Sequence, residues 1–402
     1  VTFINLMTAG APVSELNLKF KAGVKHAIAA AVPLTVMPKT ISFSPWDMAP
    51  NPKMTTILNL VGKFPVNASS LIIENCKITF TPGSQLQLND SLKGSNILLT
   101  IKSSELTFAN PSGFYVVMKQ PNMIKIEDTT MKRGAAKDIP GYFAFTESET
   151  TTVEISIKNL LFSGPPPGKD TIKNNLLLFN KKVDCKSLEV TDSNIQIVNL
   201  IGFNKAGGSF LMRRTIINKT VFKNSGLFNF VNSKGGVVTV TDITFMSTKI
   251  VSARMIQVVA PTNFLKMEKI NMINVEFDAG DGQGNQILPR LIFTIDEIKE
   301  MHINSWYFSN VKSTYDDSKA PNVLVHIAKP VLSLNIFDVD IPNNFEFSSY
   351  VATFGKVTKL KIDMVKSSFT KQYFDKFEGE AKKGKGKKRN NFISIFGGVQ
   401  FS

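Results

Sequence analysis

The chain is expected to be all-β: a single-stranded solenoid of short parallel strands stacked coil on coil, about eleven to twelve coils long, behind an N-terminal cap or docking segment. Three observations carry that expectation. A short alternating phrase recurs down the chain, breaks rich in Gly, Pro, Asn and Ser separate its copies, and helical patterning is almost absent between them. The phrase is two or three β-branched or aliphatic residues in alternation, then a polar turn residue, then an aromatic or aliphatic residue.

The first copies read LIIENCKITF from Leu71 and LLTIKSSELTF from Leu98. Further copies are IKIEDTTM from Ile124, VEISIKNLLF from Val153, LEVTDSNIQI from Leu188, RTIINKTVF from Arg214 and VVTVTDITF from Val237. The last clear ones are INMINVEF from Ile270, MHINSWYF from Met301, LSLNIFDVDI from Leu332 and KLKIDMVKSSF from Lys359. The apolar residue before the polar turn marks each copy: Ile73, Ile101, Ile126, Ile157, Val190, Ile217, Val240, Ile273, Ile303, Ile336 and Ile362. The mean spacing is about 29 residues, which suits a coil of two or three short strands and variable turns. Period-two alternation makes each phrase a strand with one buried face. The markers should stack in one internal column. Phe80, Phe108, Phe162, Phe222, Phe245, Phe277, Phe308 and Phe369 should stack in another.

The polar position two residues after the marker holds Asn75, Asp128, Asn159, Asp192, Asp242 and Asp338, with Ser103 and Ser305 in equivalent places. A row of carboxylates could bind metal or act on a glycan. Its recurrence in nearly every copy points instead to a bend that needs left-handed dihedrals, which Asn and Asp tolerate best.

With these phrases the chain resembles the right-handed parallel β-helix proteins of the pectin-lyase-like fold, over roughly residues 70–402. The right hand is implied by the resemblance alone. The resemblance also implies a polysaccharide lyase or hydrolase as one option. Lyases of that fold carry clustered Asp for calcium with a Lys or Arg base; the hydrolases carry paired Asp and a Gly-His-Gly stretch. This chain has no Gly-His-Gly, and His26, His302 and His326 are scattered, the last two inside strand patterns. Asp316 and Asp317 adjoin in a polar stretch outside the phrases. No enzyme and no cofactor is expected. The candidate metal position is Asp278 with Asp281 in DAGDGQG, where two carboxylates fall short of the oxygen count a calcium site needs.

Composition bounds the rest. A 402-residue chain that is 43% hydrophobic with 31 Phe can bury a large core, which excludes disorder. Two cysteines, Cys76 and Cys185, exclude a disulfide scaffold, and their separation by several copies makes both free buried thiols. The apolar stretch from His26 to Met37 contains Pro33 and falls short of the roughly 20 residues a transmembrane helix needs. Net charge is +15, from 47 Lys and Arg against 32 Asp and Glu. Lys382, Lys383, Lys385, Lys387, Lys388 and Arg389 concentrate part of it in one run, without the interleaved aromatics of a nucleic-acid binder. Nucleic acid is therefore not an expected partner.

The expected organisation is a cap or docking segment over 1–65 and the solenoid over 66–402, with a basic inter-coil loop at 376–391. Phe392, Ile393, Ile395, Phe396 and Phe401 form an apolar strand-like end, which would pair with another copy head to tail. The functional expectation is a structural, self-assembling subunit of an extracellular or surface β-helical filament. The basic run would contact the neighbouring subunit, an anionic glycan or a surface. The alternative is an adhesin-like or polysaccharide-active β-helix protein. Sequons at Asn67, Asn89 and Asn218, and a chain that starts at Val1, fit a secreted or cell-surface protein.

Overall fold

The structure, a computed structural model, describes residues 15–20, 25–29, 40–45, 56–66, 68–88, 97–109, 114–119, 121–134, 140–146, 152–165, 174–280, 288–314, 323–340, 345–346, 350–354, 357–363 and 391–395. Every regular element among them is a β-strand, and neighbouring strands run parallel. Two compact units divide the chain, 1–202 and 203–402.

In the first unit, alternation decides which side chains go inside. Met123–Arg133 pairs on one side with two shorter strands, Leu98–Lys102 along its first half and Glu105–Phe108 along its second. On its other side it pairs with Thr152–Ser163. That strand in turn pairs with both Val183–Thr191 and Asn194–Gln196. The inward row Ile73, Ile101, Ile126, Ile157 and Val190 is in direct register and wholly buried, as the markers predict. Glu15–Phe20 and Thr40–Pro45 extend the same register, with Thr40–Phe43 opposite Ser70–Ile73. A second sheet runs beside it: Lys63–Val66, Gln85–Leu88, Val116–Met118, Phe143–Phe145 and Asn175–Phe179.

In the second unit the row is Val240, Met267, Ile303, Ile336 and Ile362. Met267 stands where Ile273 was expected, because Ile273 and Ile217 belong to other rows. The second sheet here runs Gly226–Asn232, Arg254–Val258, Arg290–Thr294, Val323–Ile327, Tyr350–Phe354 and Asn391–Ile395.

The expected architecture is therefore corrected. The all-β expectation holds. However, the strands do not form a single-stranded right-handed parallel β-helix solenoid of eleven to twelve coils. The main sheet is closed, in that its pairings run in a circuit rather than from one edge to the other, and the second sheet is separate and parallel. The reason lies in the polar bends. They were expected to separate strands; instead a long strand such as Met123–Arg133 passes through its bend and keeps pairing on both sides of it. The continuous Phe column is corrected too. Phe80 faces Phe108 with ring centroids 5.3 Å apart, but Phe162 faces Met131, and Met272 lies between Phe245 and Phe308. Phe369 lies outside the described residues.

The bends themselves are as expected. Asn75, Ser103, Asp128, Asn159 and Asp192 have φ of 53°, 47°, 47°, 50° and 50°, and Asp242, Ser305 and Asp338 have 56°, 53° and 46°. The left-handed region costs a side chain with a branched Cβ most, and Asn and Asp least. The residue after the bend closes the break. Ser104, Thr129 and Ser193 donate their hydroxyls to the carbonyl two residues back, at 2.7, 2.7 and 2.8 Å. The Ser104 and Ser193 oxygens then accept the Cys76 and Leu160 backbone N–H, each at 3.1 Å. Buried backbone groups that the bend would strand are satisfied from the neighbouring strand.

Outside, Glu74, Lys102, Glu127 and Lys158 lie in direct register on successive strands, alternating in sign. Glu105 accepts from both Lys77 and Lys132 at 3.1 Å. Its partial burial would raise its pKa, but the two lysines outweigh that and hold it below the usual carboxylate range. Such half-exposed pairs contribute about 0.2–1 kcal/mol each and mainly fix register.

Candidate functional site

Asp278 ends the strand Thr262–Asp278 and is committed to its neighbours. Its carboxylate takes Lys249 at 3.1 Å and accepts the Gly280 backbone N–H at 2.8 Å. Burial alone would raise its pKa; the Gly280 N–H and Lys249 outweigh that and hold it low. Asp281 lies outside the described residues, as do the basic run from Lys382 to Arg389 and Phe396, Phe401, Asn67 and Asn89. Among the described residues no three His, Cys, Asp or Glu side chains group as metal ligands. Phe392, Ile393 and Ile395 lie on the strand Asn391–Ile395. Asn218 ends a short strand, half-buried; Thr220 of its sequon is buried and donates its hydroxyl to the Asn218 carbonyl at 2.9 Å.

Cys76 and Cys185 are free and buried, as expected. Burial raises the Cys76 thiol from 9.0 to about 12 and pushes Cys185 up as well. A thiol whose native pKa is raised stays protonated in the fold while the unfolded chain ionises. The stability it contributes is whole below pH 9 and is lost as pH rises toward 12. Both thiols are therefore expected to resist an alkylating reagent in native protein at pH 8 and to react fully in denaturant. Rapid native labelling of Cys76 would contradict its placement.

The most concentrated chemistry among the described residues lies on the second sheet of the second unit. The repeat sets two rows there. Asn229, Gln257, Phe293 and His326 are in direct register on four successive strands. Arg254 and Arg290 face each other on two of them. The Arg254 guanidinium lies over the Phe293 ring, 3.6 Å from its centroid. The His326 imidazole stacks on the same ring at 5.7 Å and 22°. Arg290 is 5% exposed, and its Nη1 donates to the Pro289 carbonyl at 3.0 Å. Burial first, then Arg290 and Arg254, push the His326 pKa down and keep the imidazole neutral. The group thus combines two fixed guanidiniums, a neutral imidazole and the buried amides of Gln257 and Asn229, with Arg254, Phe293 and His326 half-buried.

His326 was expected as an ordinary strand histidine, and it does sit in a strand. The sequence reading missed its neighbours. A usable signal exists: Arg stands two residues before an inward Ile in consecutive repeats, Arg254 before Ile256 and Arg290 before Ile292. His302 is a different case. Its Nε2 lies 2.6 Å from Glu300 and 3.1 Å from the Asn335 amide, a pair on one strand and its neighbour.

No protein-family model, curated protein or solved structure matches this chain. No helix among the described residues is long and apolar enough to cross a membrane.

Proposed function

We propose that the protein is a structural subunit that assembles with copies of itself through strand pairing. The observation that carries this reading is the edge of the second sheet in the second unit. Asn391–Ile395 pairs in register with Tyr350–Phe354 on one side, and no described strand lies on the other. Its sequence, NFISI, has neither charge nor proline. An uncharged parallel edge offers a row of backbone donors and acceptors to a further strand. In the first unit the corresponding edge is Lys63–Val66, which among the described residues has one partner strand, Gln85–Leu88. Pairing of these two unlike edges between copies is heterologous, and heterologous contacts that do not close build filaments. The basic run would be a charged contact to the neighbour or to an anionic surface.

Light scattering and negative-stain imaging over a concentration series test this. Filaments or a growing mass are expected, abolished by Ile393→Lys. A protein that stays monomeric at high concentration overturns the proposal.

A further inference from the structure

We propose that one corner of the second unit, centred on Val259, is a side-by-side contact with a second copy of this chain, related by a two-fold axis. It does not rest on the edge pairing above, since it uses other residues and a different symmetry. The ends of three successive strands of the second sheet carry it. Phe230, Val258 and Thr294 are in register and buried. The register runs on by one residue: the Val259 N–H donates to the Phe230 carbonyl and the Ile295 N–H to the Val258 carbonyl, each at 3.1 Å. Alternation turns Val231, Val259 and Ile295 outward, where they are 38%, 37% and 39% exposed. Three adjacent β-branched aliphatics at one strand spacing make a continuous apolar row, the kind of surface that a partner covers.

The turns that follow decide the partner. The Gly235 N–H donates to the Pro261 carbonyl and the Thr262 N–H to the Glu297 carbonyl, both at 3.0 Å. Lys234, Pro261 and Glu297 therefore hold one place in three successive turns, with Asp296 beside Glu297. Lys234 is exposed, Asp296 and Glu297 are half-buried, and no ion pair engages any of the three among the described residues. The corner is thus basic at one end, neutral in the middle and acidic at the other. A two-fold axis through Val259 sets it against itself reversed. Val231 meets Ile295, Val259 meets Val259, and Lys234 meets Asp296 and Glu297 twice over. A copy laid parallel would set Lys234 against Lys234, and an anionic membrane would be repelled by the acidic end. Lys205 and Lys329 lie in the turns further out on either side, and the rotation brings these like charges toward each other. Both are exposed, so salt screens that repulsion.

Sedimentation velocity over a concentration series tests this on the full chain carrying Ile393→Lys, which blocks edge pairing and leaves the corner intact. A monomer–dimer equilibrium is expected there even though filaments are lost, which separates this contact from the edge. Lys234→Glu should weaken the dimer about tenfold or more, and so should Asp296→Lys combined with Glu297→Lys. An equimolar mixture of those two variants should dimerise about as tightly as the unaltered corner, because both contacts then join opposite charges. Val259→Asp should weaken the dimer in every combination. In chains with the unaltered edge, the same mixing should restore the wild-type mass distribution, so the charge exchange can be read even if Ile393→Lys does not fold. A corner that stays monomeric at high concentration, or a mixture that associates no better than its components, overturns the proposal. Binding to phosphatidylserine vesicles by a chain that forms no dimer also overturns it.

Discussion

Phe108→Ala is expected to lower the stability of the first unit by about 3–5 kcal/mol, the range for emptying a large aromatic site. Phe108 is 1% exposed and sits at the centre of a ring cluster. Phe80 lies 5.3 Å away, Tyr115 5.0 Å, Tyr142 4.7 Å and Phe143 6.3 Å, centroid to centroid. Two sheets contribute these rings. Phe80 and Phe108 come from the main sheet, and Phe143 and the residues leading into its strand come from the second. Their packing therefore ties one sheet to the other, and relaxation to fill the hole would have to move both. Denaturant titration of the purified variant checks this. A midpoint close to wild type would show that the cluster does not join the sheets.

The second large effect concerns the bends. Asn159→Val should cost about 1–3 kcal/mol, because a branched Cβ at φ 50° meets the following carbonyl. Asn159→Gly should cost much less at the same site, since glycine enters that region freely. The Asn159 amide also donates to Asp128 on the preceding bend at 2.9 Å, so the glycine variant loses one exposed hydrogen bond. The ordering valine below glycine is the diagnostic result, read from paired denaturation curves. Equal losses in the two variants would mean that the side-chain bond, and not the backbone conformation, holds the bend.

These two sites also show how far the sequence could be read. The bends were legible because Asn, Asp and Ser recur at one offset from an aliphatic residue, and backbone geometry leaves few other reasons for that. All eight expected positions have positive φ. Other bends were not legible. Lys219, Ser247, Asn274 and Asn310 form a further row in the second unit, and Lys219 and Lys269 take φ of 46° and 54° with no residue preference to announce them. The closed main sheet was hidden for a related reason. Alternation tells which side chains point inward, but it does not tell whether the chain leaves a sheet at a bend or continues in it. The group of Arg254, Phe293 and His326 was illegible because its members are spread over strands dozens of residues apart and are joined only by register. Arg254 reaches Phe293, and His326 reaches the same ring, through pairings that no local motif encodes.

The fixed offset between marker and bend has a consequence for how this gene can change. Ile126 and Asp128 are separated by one residue, as are Ile73 and Asn75, Ile101 and Ser103, and Ile157 and Asn159. A codon inserted within such a triplet would turn every following side chain of that strand to the opposite face, core outward and lysine inward. A codon inserted in the connections between strands would alter only a loop. Insertions and deletions that survive selection should therefore fall in the connections, and the triplets should keep their length even where their letters drift.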